Sequence, residues 1–201
     1  MSTIQHGVGE TTNQQPAPHR PAGVPTSALP SRSLRYLTGA IRLSLGWVFL
    51  WAFLDKTFAL GFNTGRNAET GVVTLFGDKA WIHGGSPTKG FLSNSEGPFS
   101  GFYQSFAGAP LANWLFMIGL LGIGLALMLG VAMRIATVSG AVMLVMMWSA
   151  ALPTANNPFM DDHIVYALVL VGLTLAGAGA MLGMGQAWNR LGIVQRHSFL
   201  R

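Results

Sequence analysis

From Leu111 to Val131 no residue carries a charge. A run of about 20 apolar residues is the length of helix that crosses the roughly 30 Å hydrocarbon core of a bilayer. Three further apolar stretches accompany it. The sequence predicts spans at about 36–62, 111–131, 135–152 and 158–182, giving an all-α integral membrane protein, a four-transmembrane-helix bundle. Composition agrees. Of the 201 residues half are hydrophobic and only 9% are charged, against about 25% charged in a soluble domain.

Cysteine is absent, which excludes disulfides, thiolate metal sites, iron–sulfur clusters and covalently attached haem from this chain. A membrane-embedded haem needs His within the spans, and only His163 approaches one. His83 lacks a partner cluster, so no metal, haem or flavin is indicated. No glycine-rich nucleotide-binding motif is present. The net charge of +5 is scattered rather than blocked, which disfavours nucleic-acid binding.

Residues 1–33, rich in Pro, Gln, Thr and Ser, are expected to be a disordered tail. The first span contains Arg42–Lys56, reading RLSLGWVFLWAFLDK. On a helix its two cations lie about 21 Å apart and within about 40° of one face. Charges within a span are costly and tend to face protein, water or a ligand. The second span offers Gly122 and Ala126 as a small-xxx-small pair for close helix approach. Arg134 lies in a short connection, so spans two and three are expected to form an antiparallel hairpin. Pro153 stops span three. Asn157–Pro158 resembles a helix start, with Asp161 and Asp162 in the first turn. Gly172, Ala176 and Ala180 then predict a close-packing stripe along the fourth span.

Arg20, Arg32, Arg35, Arg134, Arg190, Arg196 and Arg201 fall on one side of this scheme. The positive-inside rule makes that side cytoplasmic, with both termini there, in the cell membrane. Residues 186–201 form a basic tail that is a candidate amphipathic segment for the inner membrane surface. The other side receives a long extracytoplasmic loop, 63–109. Within it Phe99, Phe102, Tyr103 and Phe106 recur at i, i+3, i+4 and i+7, the aromatic face of a short interfacial helix.

Far-separated residues then converge on the outer side: Asp55 and Lys56 ending span one, Trp148 ending span three, Asp162 and His163 opening span four, and the aromatic loop. A quinone needs a flat apolar slot, donors to its carbonyl oxygens and a proton path. Lys56, Asp55, Asp162 and His163 are the candidate catalytic residues. Trp148, Tyr103, Phe99, Phe102 and Phe106 are the candidates for holding the ring. The bland alternative makes these charges helix-end residues and the rings a membrane-interface belt.

Several motifs together resemble the DoxX/DoxD-like membrane family. They are Arg42 with the Gly46–Lys56 spacing, SPTKGFL at 86–92, GPFSGFY at 97–103, the Gly-rich second span ending in Arg134, and LPTANNPFMDDHIVYALVL at 152–170. The resemblance covers roughly residues 36–190. It implies a four-helix membrane fold and a subunit of a thiosulfate:quinone oxidoreductase, or a role in thiol and oxidative-stress defence complexes with other redox proteins. Two rival readings stand beside it: a non-catalytic anchor for redox partners, and a small-solute transporter.

Overall fold

The computed structural model describes residues 31–200, and most of the predicted N-terminal tail lies outside them. The first helix begins at once: the Ser31 hydroxyl accepts from the Leu34 N–H at 3.3 Å, capping α1 (Arg32–Phe58). The long loop carries a single 3-10 turn (Trp81–His83), α2 (Lys89–Ser93) and α3 (Ser100–Ser105). Pro110, at the first position of a helix where its missing N–H costs nothing, opens α4 (Pro110–Leu129). After a short turn come α5 (Met133–Ala150) and α6 (Asp162–Leu175). The chain finishes in another 3-10 turn, α7 (Gly185–Trp188), α8 (Gly192–Arg196) and a last turn at Ser198–Leu200.

Three helices, α1, α4 and α5, are long and apolar enough to cross a membrane. Their 27, 20 and 18 residues correspond to about 40, 30 and 27 Å. Their outward faces carry large apolar side chains such as Leu115, Ile118, Val138 and Val142, all exposed. Water would not tolerate so continuous an apolar coat, and lipid matches it. The chain is an all-helical membrane protein.

The fourth apolar segment departs from expectation. Its helix runs for 14 residues, about 21 Å, and stops well short of 182. The cause is the string AGAGA at 176–180: Gly177 adopts φ +66° and its N–H turns back to the Thr174 carbonyl, ending the helix as left-handed glycines do. Ala176 and Ala180 therefore lie outside α6, and the predicted stripe is not continuous helix. The start differs as well. Asp161, not Asn157, caps α6, accepting from the His163 and Ile164 N–H groups at 3.1 and 3.3 Å. Asn157 instead holds a tight turn, accepting from Phe159 and Met160.

α1 packs against α4, α4 against α5, and α5 against α6, with a smaller α1–α6 contact. Successive helices run antiparallel, so the structure has two ends. The basal end gathers the start of α1, the α4–α5 turn, the end of α6 and the C-terminal segment. The loop end gathers the close of α1, residues 59–109, the close of α5 and the start of α6. Leu45 and Phe49 of α1, Met117, Leu120, Ile123 and Leu127 of α4, Leu144 of α5 and Leu170 of α6 form the shared core. Between α5 and α6 the Thr137 and Thr174 hydroxyls bond at 2.5 Å, and Thr137 also reaches the Leu170 carbonyl at 3.3 Å.

The α1–α4 seam is unusually close, and its glycines are not the predicted pair. A Cβ on Gly124 would stand 2.9 Å from the Leu50 nitrogen, and one on Gly46 would stand 3.0 Å from the Met128 nitrogen. Gly122 would meet nothing within 4 Å. Gly124→Val is therefore expected to force the two backbones apart at about 2–3 kcal/mol, read as a lowered midpoint in denaturing-detergent titration. Gly122→Val should leave the midpoint almost unchanged.

Candidate functional site

At the loop end, α1 closes with Asp55 and Lys56. Lys56 sits in the last helical turn, where the helix dipole favours a cation. Its Nζ lies 5.9 Å from the centre of the Phe116 ring on α4, a cation–π distance. No hydrogen bond or ion pair joins it to Asp55, Asp162 or His163 among the described residues. Asp55 bonds instead to the chain that follows. It is 1% exposed, and its two carboxylate oxygens accept from the Phe62 and Asn63 N–H groups at 3.1 and 3.0 Å. The chain leaving α1 is thereby folded back over the end of the helix.

A second group forms where α5 ends and α6 begins. The Trp148 indole donates to the Phe159 carbonyl at 2.6 Å, tying α5 to the connection that follows it. The Tyr103 hydroxyl lies 2.5 Å from the Ser149 hydroxyl, and Tyr103 is buried with Leu92 and Ala150. The Asp161 carboxylate, besides capping α6, lies 2.6 Å from Nδ1 of His163. This pair is only partly buried, and the contact fixes the orientation of the imidazole. Asp162 is exposed.

The aromatic loop helix exists as α3, but its four rings are divided. Tyr103 and Phe106 turn inward and contact each other edge-on at 5.9 Å. Phe102 touches both yet remains largely exposed, and Phe99 is exposed at the helix start. The expected single aromatic face thus has a buried half and a free half.

The candidates share one end of the molecule and fall into two groups there. Asp55 and Lys56 belong with the start of α4. Trp148, Tyr103, Phe106 and the Asp161–His163 pair belong with the close of α5. No hydrogen bond, ion pair or ring contact bridges the groups among the described residues. Two open cavities lie at this end. One of about 300 Å³ is lined by Gly90, Phe91, Asn94, Glu96 and Ala150–Pro153. Another of about 450 Å³ runs between Gly65–Thr74 and Gly77–Lys79. None of the nine candidate residues lines either cavity.

No protein-family model, curated protein or solved structure matches this chain. The chemistry must therefore be read from the side chains alone. Among the described residues no group of three or more His, Asp or Glu side chains is placed to hold a metal ion.

Sequence reasoning passed over the polar residues that build this end. The Asn113 side-chain oxygen, on α4, accepts from the Ser86 hydroxyl at 3.0 Å, the Thr88 N–H at 3.3 Å and the Thr88 hydroxyl at 2.6 Å. The Ser95 hydroxyl donates to the Ala150 carbonyl at 2.8 Å, and Gln104 donates to the Ser95 carbonyl at 2.9 Å. Trp81 of the loop meets Trp114 of α4 edge-on at 4.7 Å. An Asn just inside an apolar helix was the available signal, since a buried amide needs partners.

Proposed function

We propose that this chain is a DoxX-like subunit of an integral membrane oxidoreductase, a four-span bundle in the cell membrane with both termini in the cytoplasm, passing electrons from thiosulfate to a membrane quinone. The observation that carries the proposal is the gathering of Lys56, Trp148, Tyr103 and the Asp161–His163 pair at one end of the apolar helices. That is the depth at which a quinone headgroup meets water. Two thiosulfate dianions joined by a new S–S bond release two electrons, and the quinone takes these with two protons to become the quinol. Lys56 supplies the cation for a dianion or a quinone oxygen. His163, its imidazole oriented by Asp161, supplies a proton route.

The test uses the full chain in nanodiscs with a soluble quinone analogue. Thiosulfate-dependent quinone reduction is expected, falling about a hundredfold in His163→Ala, the scale of general acid–base assistance. Lys56→Ala is expected to weaken analogue binding about tenfold. Protein that neither binds the analogue nor reduces it would remove the proposal.

One observation favours a second reading, a non-catalytic anchor for redox proteins. The Trp148 indole N–H, the Tyr103 hydroxyl and Nδ1 of His163 already meet internal partners, as structural side chains do. An anchor requires a partner that copurifies in fixed stoichiometry, and a chain isolated alone would exclude it.

A further inference from the structure

The basal end has a different character. Every carboxylate side chain among the described residues (Asp55, Glu69, Asp78, Glu96, Asp161, Asp162) belongs to the loop end. The basal end carries exposed Arg32, Arg35, Arg134, Arg190 and Arg196, with no carboxylate side chain among the described residues there. α1 is about 40 Å long, longer than the hydrocarbon core, so its first turn with Arg32 and Arg35 reaches into the headgroup layer.

The C-terminal segment is folded against this end rather than trailing from it. The Met184 N–H donates to the Leu129 carbonyl at 2.8 Å, at the last turn of α4. Arg42 holds the Met181 and Leu182 carbonyls at 3.0 and 2.9 Å. Arg134 donates to the Ser198 carbonyl at 2.8 Å, and the Trp188 indole to the Leu200 carbonyl at 2.6 Å. Val194, on the inner face of α8, is fully buried. Outward, the same segment presents Leu182, Met184, Leu191, Ile193 and Phe199, all about half exposed or more. Ile193 and Arg196, three residues apart, share one face of α8. An apolar surface ringed by arginines, with no carboxylate side chain among the described residues, and continuous with membrane-spanning helices is complementary to one thing: a leaflet of anionic lipid.

We infer that residues 181–200 form a cap that docks onto the anionic lipid leaflet at the basal end, with Ile193 and Phe199 entering the acyl boundary and Arg190 and Arg196 pairing with headgroup phosphates. Docking there requires nothing of the chemistry at the loop end.

The test is hydrogen exchange of the 183–200 amides in the full chain, reconstituted in nanodiscs. One set contains phosphatidylcholine alone, the other phosphatidylcholine with phosphatidylglycerol. Anionic lipid is expected to slow exchange about five-fold or more, the ratio that a single surface cation contributes. Arg190→Gln with Arg196→Gln should remove most of that difference while α4 and α5 keep their protection. Raising salt, which shortens the Debye length from about 10 Å at 0.1 M to 3 Å at 1 M, should remove it in the unaltered protein, so the result stands even if the double variant fails to fold. Equal exchange in the two bilayers overturns the inference. So does a difference that survives both substitutions and salt. Slowing by inorganic phosphate in neutral nanodiscs also overturns it, because the surface would then bind a soluble anion and not a leaflet.

Discussion

Arg42→Met is expected to destabilise the protein by about 3–5 kcal/mol, because several backbone carbonyls lose a charged donor and each buried acceptor left unsatisfied costs about 1–3 kcal/mol. Arg42 is fully buried within the apolar body, and methionine preserves much of its volume. What is lost is a set of donors. One terminal nitrogen of the guanidinium donates to the Leu127 and Met128 carbonyls, at the end of α4. The other donates to the Met181 and Leu182 carbonyls of the C-terminal segment. The last carbonyls of a helix have no partner within it, and in lipid no water can replace one. A planar fork with donors on both sides joins two backbones at once, so Arg42→Lys should recover less than half of the loss. The measurement is the unfolding midpoint in detergent, with protease sensitivity beyond residue 183 as the second readout. A midpoint for Arg42→Met within about 1 kcal/mol of the parent would show that these carbonyls find other partners.

Asp55→Ala is the second large effect. The carboxylate is buried and accepts two backbone N–H groups, each such charge-assisted bond contributing about 1.5–3 kcal/mol. Its removal leaves the Phe62 and Asn63 amides with nothing to meet at the end of α1. The expected loss is about 3–5 kcal/mol, confined largely to the loop end and visible as faster exchange at 60–63. Asp55→Asn should restore only part, because its oxygen can serve one amide while its NH2 faces the other. A chemical role for Asp55 predicts a different result: Asp55→Ala would then abolish quinone reduction while 60–63 kept their protection.

These two residues show how far the sequence could be read. Arg42 and Asp55 announce themselves as charges in an apolar helix, and a costly charge must have a reason. Its partners are not announced. Those of Arg42 lie 85 and 139 residues away and are backbone carbonyls, which every residue possesses. Asp55 stands beside Lys56 in sequence, and pairing them is the natural expectation. Yet adjacent helical residues point about 100° apart, and the amides of the following turn lie within easier reach.

The spanning helices were legible because length and absence of charge specify them with little ambiguity. The end of α6 was not, because AGAGA reads as apolar continuation by composition and as a stop only by the conformation of Gly177. At the loop end the aromatic spacing overlaps α3. It could not reveal which rings turn inward, since that depends on where Leu92 and Ala150 come to rest. The side chains offered for quinone binding were legible as a set at one end, while the cavities there are lined by residues with no distinguishing pattern.

The bonds made by Asn113 and Ser95 also impose an order on biosynthesis. The segment between α1 and α4 leaves the ribosome before α4 and α5, to which it is fastened. Its Ser86 and Thr88 wait for Asn113 on α4, and its Ser95 waits for Ala150 at the close of α5. Until those helices are threaded into the bilayer, Ser86, Thr88 and Ser95 stand beyond the first helix with their partners on α4 and α5 not yet made. A defect in inserting α4 or α5 would therefore surface as a misfolded loop far earlier in the chain.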